Sequence, residues 1–317
     1  MSLGALPAAP AGWDFATPWG ATHHVTDLGG PVHWIHWDGP ADSEATPMLL
    51  VHGLGGSHLN WLDVAKAWSE SREVYAVDVR GFGLTPGFPR DTTVLANRDL
   101  VVSFINHVIG APVVIVGNSM GGMISAFTAA SRPDLVTAAV LVDPALPLAP
   151  TKPDPQVMAR FAVLAVPGLA ERGMRQARAT VPAETMARDL IALCFADHDR
   201  IDPAMLETSV AMARLRGSKE ADQGDLERGF TAAARSLLRI LSQRGRYFRM
   251  LASIDVPVLL LHGDKDRLVS VAAARDAARR NPDWTYVEFG GVGHTPQLEV
   301  PDEVIPVVDG WLAEVHA

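Results

Sequence analysis

The sequence predicts an α/β protein whose sheet is mostly parallel and doubly wound. From residue 32 onward, short apolar segments alternate with segments of helical composition, and several apolar segments end in Gly-rich or polar turns. Strands that alternate with helices form parallel sheets, because each right-handed crossover returns the chain to the end of the sheet where the previous strand began. The next strand therefore runs in the same direction. The alternation stops at residues 145–246, where four prolines at positions 147–155 precede a helical composition. A helical insertion in the sheet is therefore expected.

Residues 32–37 predict the second strand of a leading antiparallel hairpin. Apolar and polar side chains alternate there, and the turn residues Gly29, Gly30 and Pro31 precede them. Residues 23–37 also hold four histidines and two tryptophans, so a metal site is the alternative. Acidic or cysteine partners at ligand spacing are missing, which favours the strand, and no metal is predicted. The strands expected after it lie at residues 49–51, 74–77, 113–116, 137–142, 256–261 and 284–289.

The segment Gly117-Asn118-Ser119-Met120-Gly121 predicts a sharp turn that exposes one serine. Four β-branched residues precede it, which is typical of a central strand covered on both faces. Its glycines remove Cβ atoms that would clash in a strained strand-to-helix turn. The N–H of Met120, at a helix start, is placed to stabilise an oxyanion. The pattern Gly-x-Ser-x-Gly is typical of a nucleophile elbow, and a tight turn with an idle serine is the alternative.

Two further residues follow this serine along the chain. Asp266 comes after the strand at residues 256–261, and His294 follows three glycines near the end of the chain. In the order Ser119, Asp266, His294, the sequence resembles the α/β-hydrolase superfamily, from about residue 32 to residue 312 except in its middle third. The resemblance implies that Ser119 is the nucleophile, that His294 is the general base and later the general acid, and that Asp266 orients the imidazole. A serine hydroxyl is a weak nucleophile without such a base, and the imidazolium needs a carboxylate.

Three aspartates compete for the role of the acid. The family pattern Gly-x-x-Asp-x-x-Val falls on Gly263, Asp266 and Val269, which favours Asp266. Asp143 ends the strand at residues 137–142 and is the second candidate. Asp264 is the third, and its alternative role is that of a turn residue.

A second Gly-rich turn follows the strand at residues 49–51. In the resembling family this loop supplies the second oxyanion donor, here the N–H of Leu54, beside the N–H of Met120. His52 is expected to brace the loop. Nucleotide binding is the alternative, but the glycines do not extend to Gly-x-Gly-x-x-Gly, because position 58 is His58, and no Gly-Lys-Ser/Thr follows.

Asp78 and Arg80 end the strand at residues 74–77 and match a loop that the resembling family uses structurally beside the site. We expect the two side chains to pair with each other. Direct contact with a substrate is the alternative.

Length and composition agree with one compact enzyme. The chain has 317 residues, 48% of them hydrophobic and 20% charged, and a net charge of −9. This charge argues against nucleic-acid partners and against docking onto anionic lipid, which both need clustered Lys and Arg. The one cysteine, Cys194, excludes an intrachain disulfide and is expected to be a small buried residue. No charged start of a secretory signal and no spanning segment is found, so a cytoplasmic location is predicted.

The middle of the chain is expected to form a helical cap. We divide the chain into an α/β-hydrolase core, residues 1–144 and 247–317, and a cap, residues 145–246. Cap helices are expected at residues 155–166, 182–195, 203–216 and 229–241. Apolar cap residues that could line an acyl pocket, or only pack the helices, are Met158, Phe161, Leu164, Met174, Met205 and Met212. Arginines that could meet a substrate carboxylate, or only face solvent, are Arg160, Arg172, Arg175, Arg178 and Arg188.

A serine at the elbow narrows the reaction class. Epoxide hydrolases and haloalkane dehalogenases of this superfamily use an aspartate there, so both are disfavoured. The sequence predicts a serine hydrolase that forms an acyl-enzyme, most simply on small to medium apolar acyl esters, without metal or organic cofactor. Carbon–carbon hydrolases of aromatic ring-cleavage products have a similar elbow, but they usually carry tryptophan after the catalytic histidine, where this chain has Thr295. The sequence is also compatible with a cofactor-free haloperoxidase or perhydrolase and with a non-catalytic binding protein.

Overall fold

The computed structural model describes residues 14–148, 159, 162–164, 166–218 and 226–315. The strands in these residues are β1 Thr22–Asp27, β2 Pro31–Trp37, β3 Met48–Val51, β4 Val74–Val77, β5 Val113–Asn118, β6 Val136–Val142, β7 Val258–Gly263 and β8 Thr285–Phe289. They form one sheet in the order β1-β2-β4-β3-β5-β6-β7-β8. β2 pairs antiparallel with both β1 and β4, and the other neighbours pair parallel. The predicted fold class and the leading hairpin are confirmed.

Helices connect these strands on both faces of the sheet. In the described residues they are α1 Leu62–Trp68, α2 Val94–Phe104, α3 Met120–Ser131, α4 Leu169–Thr180, α5 Ala183–Cys194, α6 Pro203–Gly217, α7 Leu226–Ser242, α8 Arg244–Leu251, α9 Val271–Arg280, α10 Pro296–Glu299 and α11 Pro301–Val315. The N-terminus of helix α6 is determined by residues that favour the start of a helix. The Asp202 side chain accepts a hydrogen bond from Met205 N at 2.8 Å, and Pro203 occupies the first turn.

Two apolar layers cover the sheet. Alternate residues of β3 point into different layers, with Leu49 and Val51 in one and Met48 and Leu50 in the other. All six residues of β5 are buried, as expected of a central strand with helices on both faces. Because β3, β5, β6 and β7 run parallel, their carboxyl ends and the loops that follow them lie along one edge of the sheet.

The segment between β6 and β7 is helical, as the sequence predicts. Helices α5, α6 and α7 fall on three of the four predicted positions, and the fourth, at residues 155–166, lies largely outside the described residues. Helices α4 and α8 are not among the predicted ones. Helix α4 is polar in overall composition and buries only Ala170 and Glu171, which conceals its helical periodicity. In the described residues, no helix combines the length and the apolar character that a membrane crossing requires. The cytoplasmic location stays a prediction.

Candidate active site

Ser119 lies in the turn between β5 and α3, in a strained backbone conformation with φ 56° and ψ −118°. Its N–H donates to Val142 O at 3.0 Å, which fixes the turn against the end of β6. A Cβ on Gly121 would overlap the backbone oxygens of Val51 and His52, so only glycine lets α3 begin this close to β3. Met120 starts the helix, and its N–H belongs to the first turn, which has no intrahelical acceptor.

His294 and Asp266 are in contact. The His294 Nδ1 atom lies 2.7 Å from Asp266 Oδ2, and both side chains are buried. Asp266 Oδ1 accepts hydrogen bonds from Leu268 N at 2.7 Å and Val269 N at 3.0 Å. Burial alone would raise the pKa of Asp266, but the charge and hydrogen bond of His294 and the bonds from the loop hold this pKa below its usual value. An ionised Asp266 requires the proton on Nδ1, which leaves Nε2 as an acceptor.

Asn118 joins the loops that carry these residues, and the sequence analysis missed it. Its Nδ2 donates to Val142 O at 3.1 Å and to His294 O at 3.0 Å. The His294 backbone N–H in turn donates to Cys194 O at 2.6 Å, the last residue of α5. The loop is also held by Glu299, whose Oε2 accepts from Gly293 N at 2.8 Å. The position of Asn118 in the sequence, between Gly117 and Ser119 of the elbow, is the signal that could have identified it.

Asp143 lies beside this pair without a hydrogen bond to the imidazole among the described residues. One carboxylate oxygen each of Asp143 and Asp266 and one ring nitrogen of His294 lie within 4.8 Å of one another. Asp143 Oδ1 accepts from Gly263 N at 3.0 Å. Burial raises the pKa of Asp143 well above its usual value, and the charge of Asp266 adds to this rise. Asp143 therefore keeps its proton in a pH range where Asp266 is ionised.

Asp264 and the histidines of the hairpin have other surroundings. Asp264 accepts from Gly291 N at 2.6 Å and lies 3.0 Å from Lys265 Nζ, so it acts as a turn residue. Among the described residues, one group of three possible ligands has metal spacing, and it consists of Asp143, Asp266 and His294. The histidines of the hairpin belong to no such group in these residues. The 2.7 Å contact between His294 and Asp266 has the length of a charge-assisted hydrogen bond.

The loop after β3 lies against the elbow. An added Cβ on Gly53 would come within 3.0 Å of Ser119 Cβ, and Leu54 faces the same cavity as Ser119. His52 braces the loop as expected, since its Nδ1 lies 2.8 Å from Gly53 O and its Nε2 accepts from Val79 N at 3.2 Å.

The expected pairing of Asp78 with Arg80 is wrong. Asp78 is fully buried and accepts hydrogen bonds from His58 N at 2.7 Å, His58 Nδ1 at 2.9 Å and Leu84 N at 2.8 Å. Arg80 instead donates to Ala96 O and Leu28 O, each at 3.4 Å. Two of these donors belong to His58, in the segment after β3, and one is the backbone N–H of Leu84, in the turn after β4, so the carboxylate is occupied without Arg80.

A cavity of about 740 Å³ separates this edge of the sheet from the helices between β6 and β7. Ser119 and His294 both line it. Its other walls are mainly apolar and include Leu54, Ala145, Leu146, Leu164, Ile191, Met205, Met212, Phe230, Leu237 and Leu298. Cys194 also lines it, and burial raises the pKa of its thiol to about 12, so the thiol is not a nucleophile at neutral pH.

Leu164, Met205 and Met212 therefore lie where the sequence analysis expected pocket residues, whereas Met174 does not line the cavity. Met158, Phe161 and Arg160 lie outside the described residues. The other arginines expected near a substrate, which are Arg172, Arg175, Arg178 and Arg188, do not line the cavity either. Two arginines that the sequence analysis did not single out do so, Arg216 and Arg244.

Known proteins resemble the chain in sequence. The family described as alpha/beta hydrolase fold matches residues 46–301. The dihydrolipoyllysine-residue acetyltransferase component of the acetoin cleaving system of Cupriavidus necator is 25% identical over 92% of the chain and 69% of its own length. The sn-1-specific diacylglycerol lipase of Danio rerio is 36% identical over 34% of the chain and 33% of its own length. The human (lyso)-N-acylphosphatidylethanolamine lipase is 33% identical over 38% of the chain and 36% of its own length, so the chain matches only about a third of either lipase.

Solved structures resemble the chain in fold over nearly its whole length. An esterase from Thermogutta terrifontis has a TM-score of 0.67 and 23% identity, with 94% of this chain and 99% of that chain covered. A haloalkane dehalogenase from Agrobacterium tumefaciens has a TM-score of 0.74 and 19% identity, with 93% and 97% covered. Proteins of different chemistry thus share this fold, so the fold alone does not determine the function.

Proposed function

Because the chain belongs to the alpha/beta hydrolase fold family, we propose that it is a serine hydrolase with Ser119 as nucleophile, His294 as base and Asp266 as acid. The observation that carries the proposal is the 2.7 Å contact between His294 Nδ1 and Asp266 Oδ2, at a cavity that Ser119 also lines. The strained turn at Ser119 adds support, since strained backbone of this kind is concentrated at functional sites.

The proposed reaction runs through an acyl-enzyme. Ser119 Oγ attacks the ester carbonyl while His294 Nε2 takes its proton, and the imidazolium then gives this proton to the departing alcohol. A water molecule, deprotonated by His294, cleaves the acyl-enzyme and restores Ser119. The N–H groups of Leu54 and Met120 are the proposed oxyanion donors, and the loss of one such donor typically lowers kcat by about 10²–10³.

The proposed substrates are carboxylic esters with small to medium apolar acyl groups. The largely apolar wall of the cavity supports this, because each buried methylene contributes about 0.8 kcal/mol. The two lipases that match part of the chain act on esters by their names, which agrees with the proposal. Residues 145–246 are the proposed cap, which selects substrates over a core of residues 1–144 and 247–317.

A fluorophosphonate probe and a p-nitrophenyl butyrate assay test the proposal together. We expect the probe to label wild type on Ser119, and we expect Ser119→Ala to lose both the label and on the order of 10⁶ in kcat. Ser131→Ala is the matched control, since Ser131 is an exposed serine at the other end of α3. Labelling of Ser119→Ala at the wild-type level would refute the assignment. A ring-cleavage dienoate and a peracid assay, run on the same samples, test the alternative reactions.

A further inference from the structure

Arg216 is a half-buried cation in the cavity wall. It lies in the last turn of α6 and lines the same cavity as Ser119 and His294. Its Nη2 donates to Gly81 O at 3.0 Å, while its Nε is buried and has no hydrogen-bond partner among the described residues. A guanidinium carries five N–H donors, so most of its capacity for hydrogen bonds is unused by the part of the chain that the structure describes.

The carboxylate whose charge acts on Arg216 is already occupied. Burial lowers the pKa of Arg216 to about 10, and the charge of Asp78 opposes this shift. Arg216 therefore stays charged at neutral pH. Asp78, however, accepts its three hydrogen bonds from His58 and Leu84, and within the described ranges no ion pair joins it to Arg216. Arg216 is half-buried and its Nε is fully buried, and a charge in this setting without a close counterion is unfavourable, which favours the binding of an anion there.

The second arginine of the wall has its partners within the protein. Arg244 Nη2 donates to Asp276 Oδ2 at 2.7 Å, and its Nη1 donates to Leu148 O at 2.7 Å. Among the described lining residues, Arg216 is thus the cation whose donors remain available to a molecule inside the cavity.

We propose that Arg216 binds a carboxylate on the substrate, so that the preferred substrates are apolar esters that carry one free carboxylate. The inference rests on the proposed ester hydrolysis. A carboxylate fits a guanidinium edge with two oxygens and one negative charge. A phosphate offers more oxygens and up to two charges, for which the described wall supplies no second free cation. The apolar remainder of the wall suits the hydrocarbon part of such an ester.

Matched esters with and without the carboxylate test the proposal, and two pairs locate it. Monomethyl adipate against methyl hexanoate places the carboxylate on the acyl side, and 4-acetoxybenzoate against phenyl acetate places it on the leaving group. We expect wild type to prefer the carboxylate ester in one pair. Arg216→Met should lower kcat/KM for that ester by about 10- to 100-fold, and by a much smaller factor for its neutral partner.

Arg214→Met is the matched control, because Arg214 lies one half-turn away on α6 with 62% of its side chain exposed. This control should leave the preference as in wild type, and Arg216→Lys should restore part of it. No preference in wild type for either pair, or an equal loss for both members of a pair in Arg216→Met, would overturn the proposal. If wild type cleaves neither these esters nor p-nitrophenyl butyrate, the proposed function fails instead. Calorimetric binding of adipate to wild type and to Arg216→Met then still decides the role of Arg216, and equal binding would refute it.

Discussion

The replacement of Asp266 by asparagine tests the proposed role of Asp266 as the acid, because the amide keeps the size of the carboxylate. The amide oxygen of the variant can still accept the hydrogen bonds from Leu268 N and Val269 N, so the loop after β7 is expected to keep its shape. The amide then turns its NH₂ group toward His294 Nδ1. Two hydrogen-bond donors cannot face each other, so the imidazole moves its proton from Nδ1 to Nε2. The proposed base needs Nε2 to be free of a proton.

The wrong tautomer makes the loss kinetic rather than structural. We expect Asp266→Asn to lower kcat by about 10⁴, the size of this effect in other triads, while the circular dichroism spectrum stays that of wild type. Asp143→Asn is the matched control, since it makes the same exchange within 4.8 Å of the same site. Asp143 is buried as a protonated carboxyl, and an amide replaces it with a donor of equal size, so kcat should change little.

The assay is the pH dependence of kcat and of kcat/KM on p-nitrophenyl butyrate for wild type and the two variants. A greater loss in Asp143→Asn than in Asp266→Asn would refute the reasoning and move the acid to the end of β6. Equal and large losses in both would show that the two carboxyl groups act as one unit.

Two further predictions concern stability and the cap. The folded pKa of Asp143 is raised, so its contribution to stability is complete below the unfolded pKa of about 3.9 and falls as pH rises toward the folded pKa. Above pH 4, the free energy of unfolding of Asp143→Asn should therefore rise relative to that of wild type by up to about 1.4 kcal/mol per pH unit, which thermal unfolding measures. A difference between the two proteins that does not widen with pH would contradict this. Replacing residues 145–246 by a Gly/Ser linker should preserve probe labelling of Ser119 in any soluble product and flatten the dependence of kcat/KM on acyl chain length, since the apolar wall is removed. A folded product that the probe no longer labels would contradict this, and would show that the cap contributes to the reactive site through a group of its own or through the bond that Cys194 O accepts from the His294 backbone.

The sequence predicted those elements that have a strong local pattern. The strand that leads to Ser119 is a run of β-branched residues, and the elbow glycines are required by close approach of the backbone, so both could be found by pattern. The choice of Asp266 over Asp143 came from the resemblance, and the structure places Asp266 against the imidazole and Asp143 beside it.

Contacts between distant parts of the chain could not be predicted from the sequence. The free donors of Arg216 depend on the position of α6 over the loop that contains Gly81, 135 residues earlier in the chain. Asp78 takes two of its three hydrogen bonds from His58, 20 residues earlier in the chain, which the sequence did not indicate, so the expected pair with Arg80 was wrong. The polar overall composition of helix α4 concealed its helical periodicity.

The hydrogen bond from Asn118 to the His294 backbone spans 176 residues, and this separation has a consequence for synthesis. The ribosome delivers Ser119 with the first half of the chain, while His294 follows the last strand, β8. Under the proposed mechanism, the serine hydroxyl has no imidazole to deprotonate it until β7 and β8 have joined the sheet beside β6. We therefore expect the nascent chain to be unreactive toward esters and toward serine-directed inhibitors until the sheet is complete.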